Sequence, residues 1–282
     1  MSSKKFPVLE MFCSVQGEGK FTGIPSFFIR VAGCNLRCVF GQSRCDTPYS
    51  SFELEKPQWD TVDDAARAFG ELVEKNPKVR HIVITGGEPL LYREQIKEFL
   101  TLIQHAENGF IITVETNGTL PAIEPWEDED GNDNWIDLWS ISPKLSTSVD
   151  HQCKFLTEAQ RDNHDKTRIN IVNLASYIQA AREAQIANNK WGPDMANCID
   201  PSYQLKFVYS GEDSVTEIKE ILSRLNGIHY VSEEDHVMLM PEGTTNDQLK
   251  NIQQECAEVC IREGWQFCDR LHIRIWGDKR GV

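Results

Sequence analysis

The sequence predicts an α/β fold whose strands form an open parallel sheet or a partial barrel. Short apolar runs alternate with amphipathic runs along the whole chain of 282 residues. Several of the apolar runs end in glycine-rich or polar turns. Such alternation is typical of parallel βα units, in which the chemistry lies at the carboxyl ends of the strands.

The apolar runs predict strands at 24–31, 79–85, 110–116, 136–142, 203–209, 236–241 and 271–276. The amphipathic runs predict helices at 61–76, 93–108, 169–189, 214–225 and 245–263. Thr61 and Asp64 predict a capping box at the start of the first helix, and Thr245 is the expected N-cap of the last.

Two parts of the chain interrupt this alternation. Residues 124–134 are acidic and rich in Gly and Asn, which predicts an exposed loop. Residues 145–200 contain polar, irregular stretches at 145–168 and 190–200, on either side of the helix at 169–189. We interpret both parts as insertions or a lid within one domain spanning 1–282; solvated surface elaboration is the alternative.

Composition excludes several classes of function. The formal net charge is −14, which argues against a nucleic-acid substrate because phosphate binding needs a basic face. No apolar run reaches the roughly 18 residues that a transmembrane helix needs, and the N-terminus has no apolar core of a signal peptide. We therefore expect a cytoplasmic protein that acts on a small molecule, without membrane or nucleic-acid partners.

The cysteines indicate a metal centre rather than disulfides. The chain has 9 cysteines, and Cys34, Cys38 and Cys45 lie together in a loop that follows a predicted strand. A cubane held by three cysteines leaves one iron open, and the amine and carboxylate of S-adenosylmethionine (SAM) suit that iron. A zinc site of three cysteines and one histidine is the alternative. We expect the other cysteines, including Cys256 and Cys260, to pack as small hydrophobes.

Polar motifs follow the other predicted strands. They are TGGEPLL (85–91), ETNGT (115–119), SPK (142–144) and PEGTT (241–245). Each one taken alone is also an ordinary turn or helix start. In the strand at 203–209, Gln204 and Lys206 point to the same face, although Lys206 is also able to extend its charge to solvent.

Two further features lie near the N-terminus. SVQGEGKFTG (14–23) precedes the predicted strand at 24–31, and it is either a flexible turn or a backbone site for a flat polar heterocycle. Arg30 lies inside the apolar run FFIRVAG. A buried arginine needs an anionic partner, so we expect either a structural carboxylate or, preferably, a substrate carboxylate.

Taken together and in order, these motifs resemble those of radical SAM enzymes. The combination of QGEG (16–19), GCNLRC (33–38), CDT (45–47), TGGEPLL, VETNGT, SPK, QLKF (204–207) and the tail RLHIRIWGDKRGV (270–282) is similar, specifically, to the 7-carboxy-7-deazaguanine synthase family.

The resemblance implies a partial, modified (β/α)6-type radical SAM barrel that carries insertions and forms a homodimer. It implies a [4Fe–4S] cluster, SAM and Mg²⁺ as cofactors and a one-electron donor such as flavodoxin. The implied reaction is that of a carbon–nitrogen lyase. It contracts the ring of 6-carboxy-5,6,7,8-tetrahydropterin to give 7-carboxy-7-deazaguanine and ammonia, in queuosine-type 7-deazapurine biosynthesis.

The resemblance also assigns residues. Those implied at the cofactors are Cys34, Cys38 and Cys45 for the cluster, Thr47 for Mg²⁺, and Gly87, Glu88, Ser142, Lys144 and Gln204 for SAM. Those implied at the pterin are Val15, Gln16, Gly17, Thr85 and the C-terminal carboxylate of Val282, with Arg30, Glu18 and His272 as the catalytic set.

The cysteine spacing departs from the common radical SAM pattern. Most of these enzymes have CxxxCxxC, whereas this chain has C-x3-C-x6-C, with VFGQSR in the second gap. The family tolerates insertions in this loop, so the assignment of Cys34, Cys38 and Cys45 is kept. A radical SAM activase that generates a glycyl radical on a partner protein is the alternative function. It needs neither the QGEG motif, nor Arg30, nor the C-terminal tail.

Overall fold

The computed structural model describes residues 5–41, 43–104, 109–189 and 200–282. Its strands are β1 (Lys5–Val15), β2 (Pro25–Val31), β3 (Val39–Phe40), β4 (Ser43–Arg44), β5 (Trp59–Thr61), β6 (His81–Gly86), β7 (Ile111–Thr116), β8 (Trp126–Glu127), β9 (Asp133–Asn134), β10 (Leu138–Ile141), β11 (Ser202–Tyr209), β12 (Val237–Pro241) and β13 (Gln266–Phe267). Its helices are α1 (Val62–Lys75), α2 (Arg93–Gln104), α3 (Glu158–Thr167), α4 (Ile171–Asn189), α5 (Glu212–Asn226), α6 (Glu233–His236), α7 (Asn246–Glu263) and α8 (Leu271–Trp276).

The main sheet confirms the predicted α/β class. Its strand order is β13-β12-β11-β10-β7-β6-β2-β1-β5. The strands from β2 to β13 in this order are parallel, whereas β1 and β5 are added as antiparallel strands at one edge. The result is a largely parallel sheet, as expected for an open sheet or a partial barrel, whose carboxyl strand ends lie along one edge.

Most predicted elements are present with small changes of boundary. Thr61 is the N-cap of α1, since its hydroxyl accepts from the Asp64 amide, but that hydroxyl donates to the Asp64 carboxylate in place of the reciprocal bond of the predicted capping box. Thr245 is the N-cap of α7, as predicted: it accepts from the Gln248 amide, and its own amide donates to the Gln248 side chain. The predicted helix at 93–108 is described only as far as Gln104. Most of the stretch predicted as irregular at 190–200, with Cys198, lies outside the described residues.

The prediction that the first strand begins at residue 24 was incomplete. The longest strand, β1, precedes it and pairs with β2 as an antiparallel hairpin. Residues 16–24, called the QGEG loop below, therefore form the turn of this hairpin. The sequence KFPVLEMFCSV hid the strand because Pro7 and Glu10 interrupt the apolar pattern.

The prediction of a last strand at 271–276 was wrong, because these residues form the helix α8. The last strand is instead the short β13. In LHIRIW apolar and polar residues alternate, but a run of six residues is too short to separate a strand period from a helical turn. The helix is fixed by its contacts, since Ile273 is buried and the Leu271 amide donates to the Gly17 carbonyl.

Both predicted insertions contain regular structure. The acidic loop at 124–134 includes the two-stranded hairpin β8–β9. The stretch at 145–168, called the inserted segment below, contains a 3₁₀ turn and α3, which begins with a capping box at Thr157. In the described residues no helix is both long and apolar enough to cross a membrane.

The two faces of the sheet differ in chemistry. Side chains such as Ile84, Val114 and Phe207 belong to the main apolar core beneath α1, α2, α4, α5 and α7. The alternate positions of the same strands carry polar side chains, among them Thr85, Ser140 and Gln204. Alternation along each strand therefore places these polar side chains on the inner face, beside apolar ones such as Val83, Met238 and Met240.

Candidate active site

A row of polar side chains crosses the inner face of the sheet at one level. Glu10 is directly opposite Arg30, and Arg30 is opposite Thr85. Further along the row, Ser140 is opposite both Glu115 and Gln204. The Thr85 hydroxyl donates to Glu115 Oε2 at 2.8 Å, and Gln204 Nε2 donates to Ser140 Oγ at 2.8 Å. Predicted site residues from distant parts of the chain thus form one surface.

The QGEG loop covers this row. Gln16 Nε2 donates to Glu115 Oε1 at 3.2 Å, and the Lys20 amide donates to Gln204 Oε1 at 2.9 Å. Gly19 has a φ of +76°, and a Cβ there would lie 2.1 Å from Gln204 Nε2, so a side chain would displace the loop. Gln204 is thus bonded to protein at both ends, and its predicted contact with SAM stays a prediction.

Glu18 is held by two cations. Its Oε2 lies 2.5 Å from Lys206 Nζ, and its Oε1 lies 2.9 Å from Arg270 Nε. Burial alone would raise the pKa of Glu18, but the attraction of Lys206 and Arg270 outweighs it and holds that pKa well below its usual range. Glu18 is therefore a fixed anion that accepts hydrogen bonds, rather than a proton donor. Lys206, for which surface exposure was the alternative, is buried.

Arg270 joins three loops through one guanidinium group. Besides Glu18, it donates from Nη2 to Asp46 Oδ2 at 2.6 Å and from Nη1 to the Gly243 carbonyl at 2.6 Å. Asp46 follows Cys45 directly, and Gly243 belongs to the PEGTT turn. Arg270 is 8% exposed and its pair with Glu18 is largely shielded from water, whereas the Asp46 side chain is partly exposed. The cysteine motif and the QGEG loop therefore meet at one buried cation.

His272 lies against the QGEG loop. A Cβ at Gly17 would lie 2.1 Å from His272 Nδ1, so only glycine fits at position 17 in this arrangement. Burial lowers the pKa of His272, although the nearby Glu18 carboxylate opposes this effect. His272 thus lies beside Gly17 and near Glu18, and its predicted role in the substrate site stays a prediction.

Arg30 has a structural carboxylate partner, which corrects the preference for a substrate partner alone. Arg30 Nε donates to Glu10 Oε1 at 2.7 Å, and the Tyr49 hydroxyl donates to the same oxygen at 3.2 Å. From the tail, Arg280 Nε donates to Glu10 Oε2 at 2.8 Å. Within the part of the chain that the structure describes, the Nη1 and Nη2 groups of Arg30 make no hydrogen bond to protein. Both groups are therefore able to bind an anion. No contact tests the role predicted for the Val282 carboxylate.

The structure accounts for the unusual cysteine spacing. Strands β3 and β4 form a small antiparallel hairpin between Cys38 and Cys45, with Val39 opposite Arg44. The Cys45 amide then donates to the Cys38 carbonyl at 3.0 Å, which extends the same ladder. Cys38 and Cys45 are therefore neighbours, although six residues separate them in the sequence.

The three thiols suit a metal cluster chemically. Burial raises the pKa of Cys34 to about 11 and raises the pKa values of Cys38 and Cys45 as well, so each thiol keeps its proton until a bound metal displaces it. Lys144 is close enough to attract all three thiolates. Within the described ranges no three Cys, His, Asp or Glu side chains converge on one ion. In a cubane each cysteine binds a different iron, so such convergence is not required.

The TGGEP turn supports the cysteine loop, which corrects the expected role of Glu88. Glu88 is fully buried, and its carboxylate accepts hydrogen bonds from the Leu90 amide, the Thr116 hydroxyl and the Asn117 amide at 2.7–3.0 Å. No oxygen of Glu88 is thus directed to a ligand. A Cβ at Gly87 would lie 1.9 Å from the Gly33 carbonyl oxygen, so the close approach at this glycine is to protein backbone.

The contacts of the remaining predicted site residues are to other protein groups. Lys144 Nζ donates to Ser142 Oγ at 2.9 Å, just beyond the carboxyl end of β10. The Thr47 hydroxyl is 3.5 Å from Cys45 Sγ. Val15 ends β1 opposite Pro25, at the entry to the QGEG loop. Ligand contacts of these residues stay predictions.

Sequence reasoning missed several residues of the site. Asn117 Nδ2 donates to Asn35 Oδ1 at 3.0 Å and lies 3.9 Å from Cys34 Sγ, so it links the ETNGT turn to the first cysteine. Cys268 Sγ accepts a hydrogen bond from the Gly19 amide at 3.1 Å. A polar residue at a strand end was the signal for Asn117, whereas nothing in the local pattern indicated Cys268.

The ion pairs of Glu18 make a prediction about stability. Replacing it in the Glu18→Gln variant should cost about 3–5 kcal/mol of unfolding free energy at pH 7, because the buried Lys206 loses its carboxylate partner and Arg270 loses one of its two. The folded-state pKa of Glu18 is depressed, so its contribution is complete above the unfolded pKa of 4.5 and fades as the pH falls below that value. Denaturant titrations between pH 7 and pH 3.5 should show the two proteins converging.

The control for this measurement is Glu53→Gln. Glu53 pairs with Arg44, but its side chain is 69% exposed, so its removal should cost less than about 1 kcal/mol. Equal losses of unfolding free energy in the two variants would mean that the ion pairs of Glu18 stabilise the protein no more than an exposed pair does.

Comparison with known proteins identifies the family. Residues 28–144 match the model of the Radical SAM superfamily. The 7-carboxy-7-deazaguanine synthase of Halobacterium salinarum is 33% identical over 279 residues, covering 96% of this chain and 91% of that protein. The 7-carboxy-7-deazaguanine synthase of Rhodopirellula baltica is 34% identical over 286 residues, covering 100% of this chain and 90% of that protein.

A solved structure supports the same fold. QueE from Escherichia coli superposes with a TM-score of 0.55 at 22% identity, and the match covers 95% of each chain. The full-length relatives and this structure agree on the fold that contains the cysteine loop and the QGEG loop. This chain belongs to the radical SAM superfamily and, within it, to the 7-carboxy-7-deazaguanine synthase family.

Proposed function

We propose that this protein is a carbon–nitrogen lyase that converts 6-carboxy-5,6,7,8-tetrahydropterin to 7-carboxy-7-deazaguanine and ammonia, in queuosine-type 7-deazapurine biosynthesis. One observation supports this proposal above the others. Arg270 pairs with Glu18 of the QGEG loop and with Asp46 beside Cys45. The loop proposed to bind the pterin and the loop proposed to bind the cluster therefore meet at this guanidinium group. The relatives reported above carry the synthase name, and none supports the activase alternative.

The cofactors follow from the family. A [4Fe–4S] cluster with SAM supplies one-electron reductive chemistry that starts a radical reaction. Cys34, Cys38 and Cys45 would hold the cluster, and their position in one buried loop with Lys144 nearby fits that role. Ser142 and Lys144 would bind polar groups of SAM, and Gly87 with Glu88 would shape its site by fixing the cysteine loop.

The pterin would be bound between the QGEG loop and the polar row. Backbone groups of Val15, Gln16 and Gly17 would bind the flat heterocycle, since the loop is already ordered by Glu115 and Gln204. The free Nη groups of Arg30 would bind the substrate carboxylate while Glu10 holds its Nε. Thr85, Glu18, His272 and the Val282 carboxylate would complete this site.

Several partners belong to the proposal as well. The reaction needs a small-molecule substrate and a reductant, and we propose a flavodoxin-like protein as the electron donor. We further propose a cytoplasmic homodimer. The Thr47 hydroxyl, an oxygen ligand near the cysteine loop, would bind Mg²⁺.

An anaerobic assay tests the reaction directly. The reconstituted protein with SAM, dithionite, Mg²⁺ and the carboxytetrahydropterin should release 7-carboxy-7-deazaguanine, detected by mass, while SAM is not consumed. Cleavage of SAM without any change in the pterin would reject the substrate and return the activase to consideration. Zinc in place of iron and sulfide would reject radical chemistry.

Arg30→Ala should lower pterin turnover about 100-fold or more, because a charge-assisted interaction worth about 3 kcal/mol is lost. Slow release of 5′-deoxyadenosine should persist, since the cysteine loop is untouched. Glu10 keeps its bonds to Tyr49 and Arg280, so the fold should survive. The control is Arg67→Ala, whose side chain is 72% exposed. Normal turnover by Arg30→Ala would assign Arg30 a structural role only.

Thr47→Ala should weaken the response to Mg²⁺, because the proposed oxygen ligand is removed. Titration of Mg²⁺ against turnover should show half-saturation at a higher concentration in this variant. Thr47→Ser retains the hydroxyl and should behave like the wild type. If all three proteins give the same titration curve, Thr47 does not bind the ion.

A further inference from the structure

The inserted segment and the long cysteine loop pack against each other. Val39 from the loop joins Val149, Cys153 and Leu156 from the segment in a small apolar core, with Phe52 at its margin. This core is separate from the main core beneath the sheet. The segment therefore has its own apolar contact with the residue that follows Cys38.

The hairpin in the cysteine loop needs such a contact. Strands β3 and β4 have two residues each, and an isolated hairpin of this size is not stable in water. Val39 nevertheless has no exposed surface. The side chain of Val39 packs against Val149, Cys153 and Leu156 of the segment. The segment therefore removes from water an apolar side chain that the small hairpin is unable to bury by itself.

Polar contacts reinforce the same junction on the other side of Cys38. The Arg37 amide donates a long hydrogen bond of 3.4 Å to His164 Nδ1. His164 Nε2 lies 2.9 Å from the Ser148 hydroxyl, so the ring is held from both sides. In addition, the guanidinium of Arg44 lies 5.3 Å from the ring centroid of Phe155. The inserted segment thus contacts both neighbours of Cys38, which are Arg37 and Val39, and also Arg44, which precedes Cys45.

The segment itself is fixed to the body of the protein. Ser146 donates from its amide and its hydroxyl to Glu217 Oε2, both at 2.8 Å, and Arg168 pairs with the same carboxylate. Arg168 Nη1 also donates to the Lys144 carbonyl at 3.0 Å. Glu217 lies on α5, so the segment is a rigid support rather than a lid.

We infer that the inserted segment is the support that holds Cys38 and Cys45 in position to bind and retain the cluster. The inference rests on the proposed cluster at these cysteines, and it makes Val149, Leu156 and His164 positioning residues. It also explains how the wider cysteine spacing is accommodated: the extra residues form a hairpin, and the inserted segment packs against it.

Iron retention tests this inference without any substrate. Leu156→Ala and Val149→Ala should each release iron to a chelator about tenfold faster than the wild type, because a cavity beside the hairpin favours its local opening. Absorbance of the cluster and iron per chain are the readouts, measured anaerobically. Leu156→Met conserves volume and should retain iron like the wild type.

The matched control is Val259→Ala, which makes a similar cavity in α7 within the main core. It should lower the thermal midpoint as much as Val149→Ala but leave iron release unchanged. Equal acceleration by both variants, or none by either segment variant, would overturn the inference while leaving the proposed function intact. A wild-type protein that takes up no iron would overturn the proposed function as well.

Discussion

The ion pairs of the buried Arg270 with Glu18 and with the partly exposed Asp46 determine how the loops of this protein meet. A charge taken out of water is costly unless it is paired and hydrogen-bonded, so each of these groups restricts the position of the others. Arg270 satisfies Glu18 from the QGEG loop, Asp46 from the cysteine motif and the Gly243 carbonyl with one planar group. Lys206 completes the charge balance at Glu18. Movement of one loop would leave a buried charge unpaired in another, which makes the site rigid.

These ion pairs lie above a sheet that places polar side chains on its inner face and the main apolar core on the other. Strand alternation places Ile84 and Val114 in the core and their neighbours Thr85 and Glu115 on the inner face. Parallel strands end at the same edge, so motifs far apart in sequence become neighbours there. Close backbone contact then fixes the loops, as between Gly87 and Gly33. The polar row and the cysteine loop are therefore consequences of one topology.

The sequence predicted the parts of the fold that depend on periodicity. The parallel strands and long helices were located because burial gives them a clear period, and the caps at Thr61 and Thr245 were read from local chemistry. Strand β1 was missed because Glu10 lies in its interior, and this charge is explained only by Arg30 on the next strand. Glu88 was assigned to a ligand because a sequence does not show which carboxylate is already bonded. The partner of Arg270 lies 252 positions away, a separation that no local pattern reveals.

Spacing in sequence is a poor measure of how well residues share a metal cluster. Six residues separate Cys38 from Cys45, yet a hairpin makes their backbones adjacent. What the hairpin requires is not a particular number of residues but a surface that buries its apolar side, because two-residue strands do not fold alone. Val39 finds that surface in the inserted segment. On this inference, a longer gap between the cysteines is compatible with one cluster where the same chain buries the apolar side of the extra residues. Without such a surface the two-residue strands would not hold Cys38 and Cys45 together.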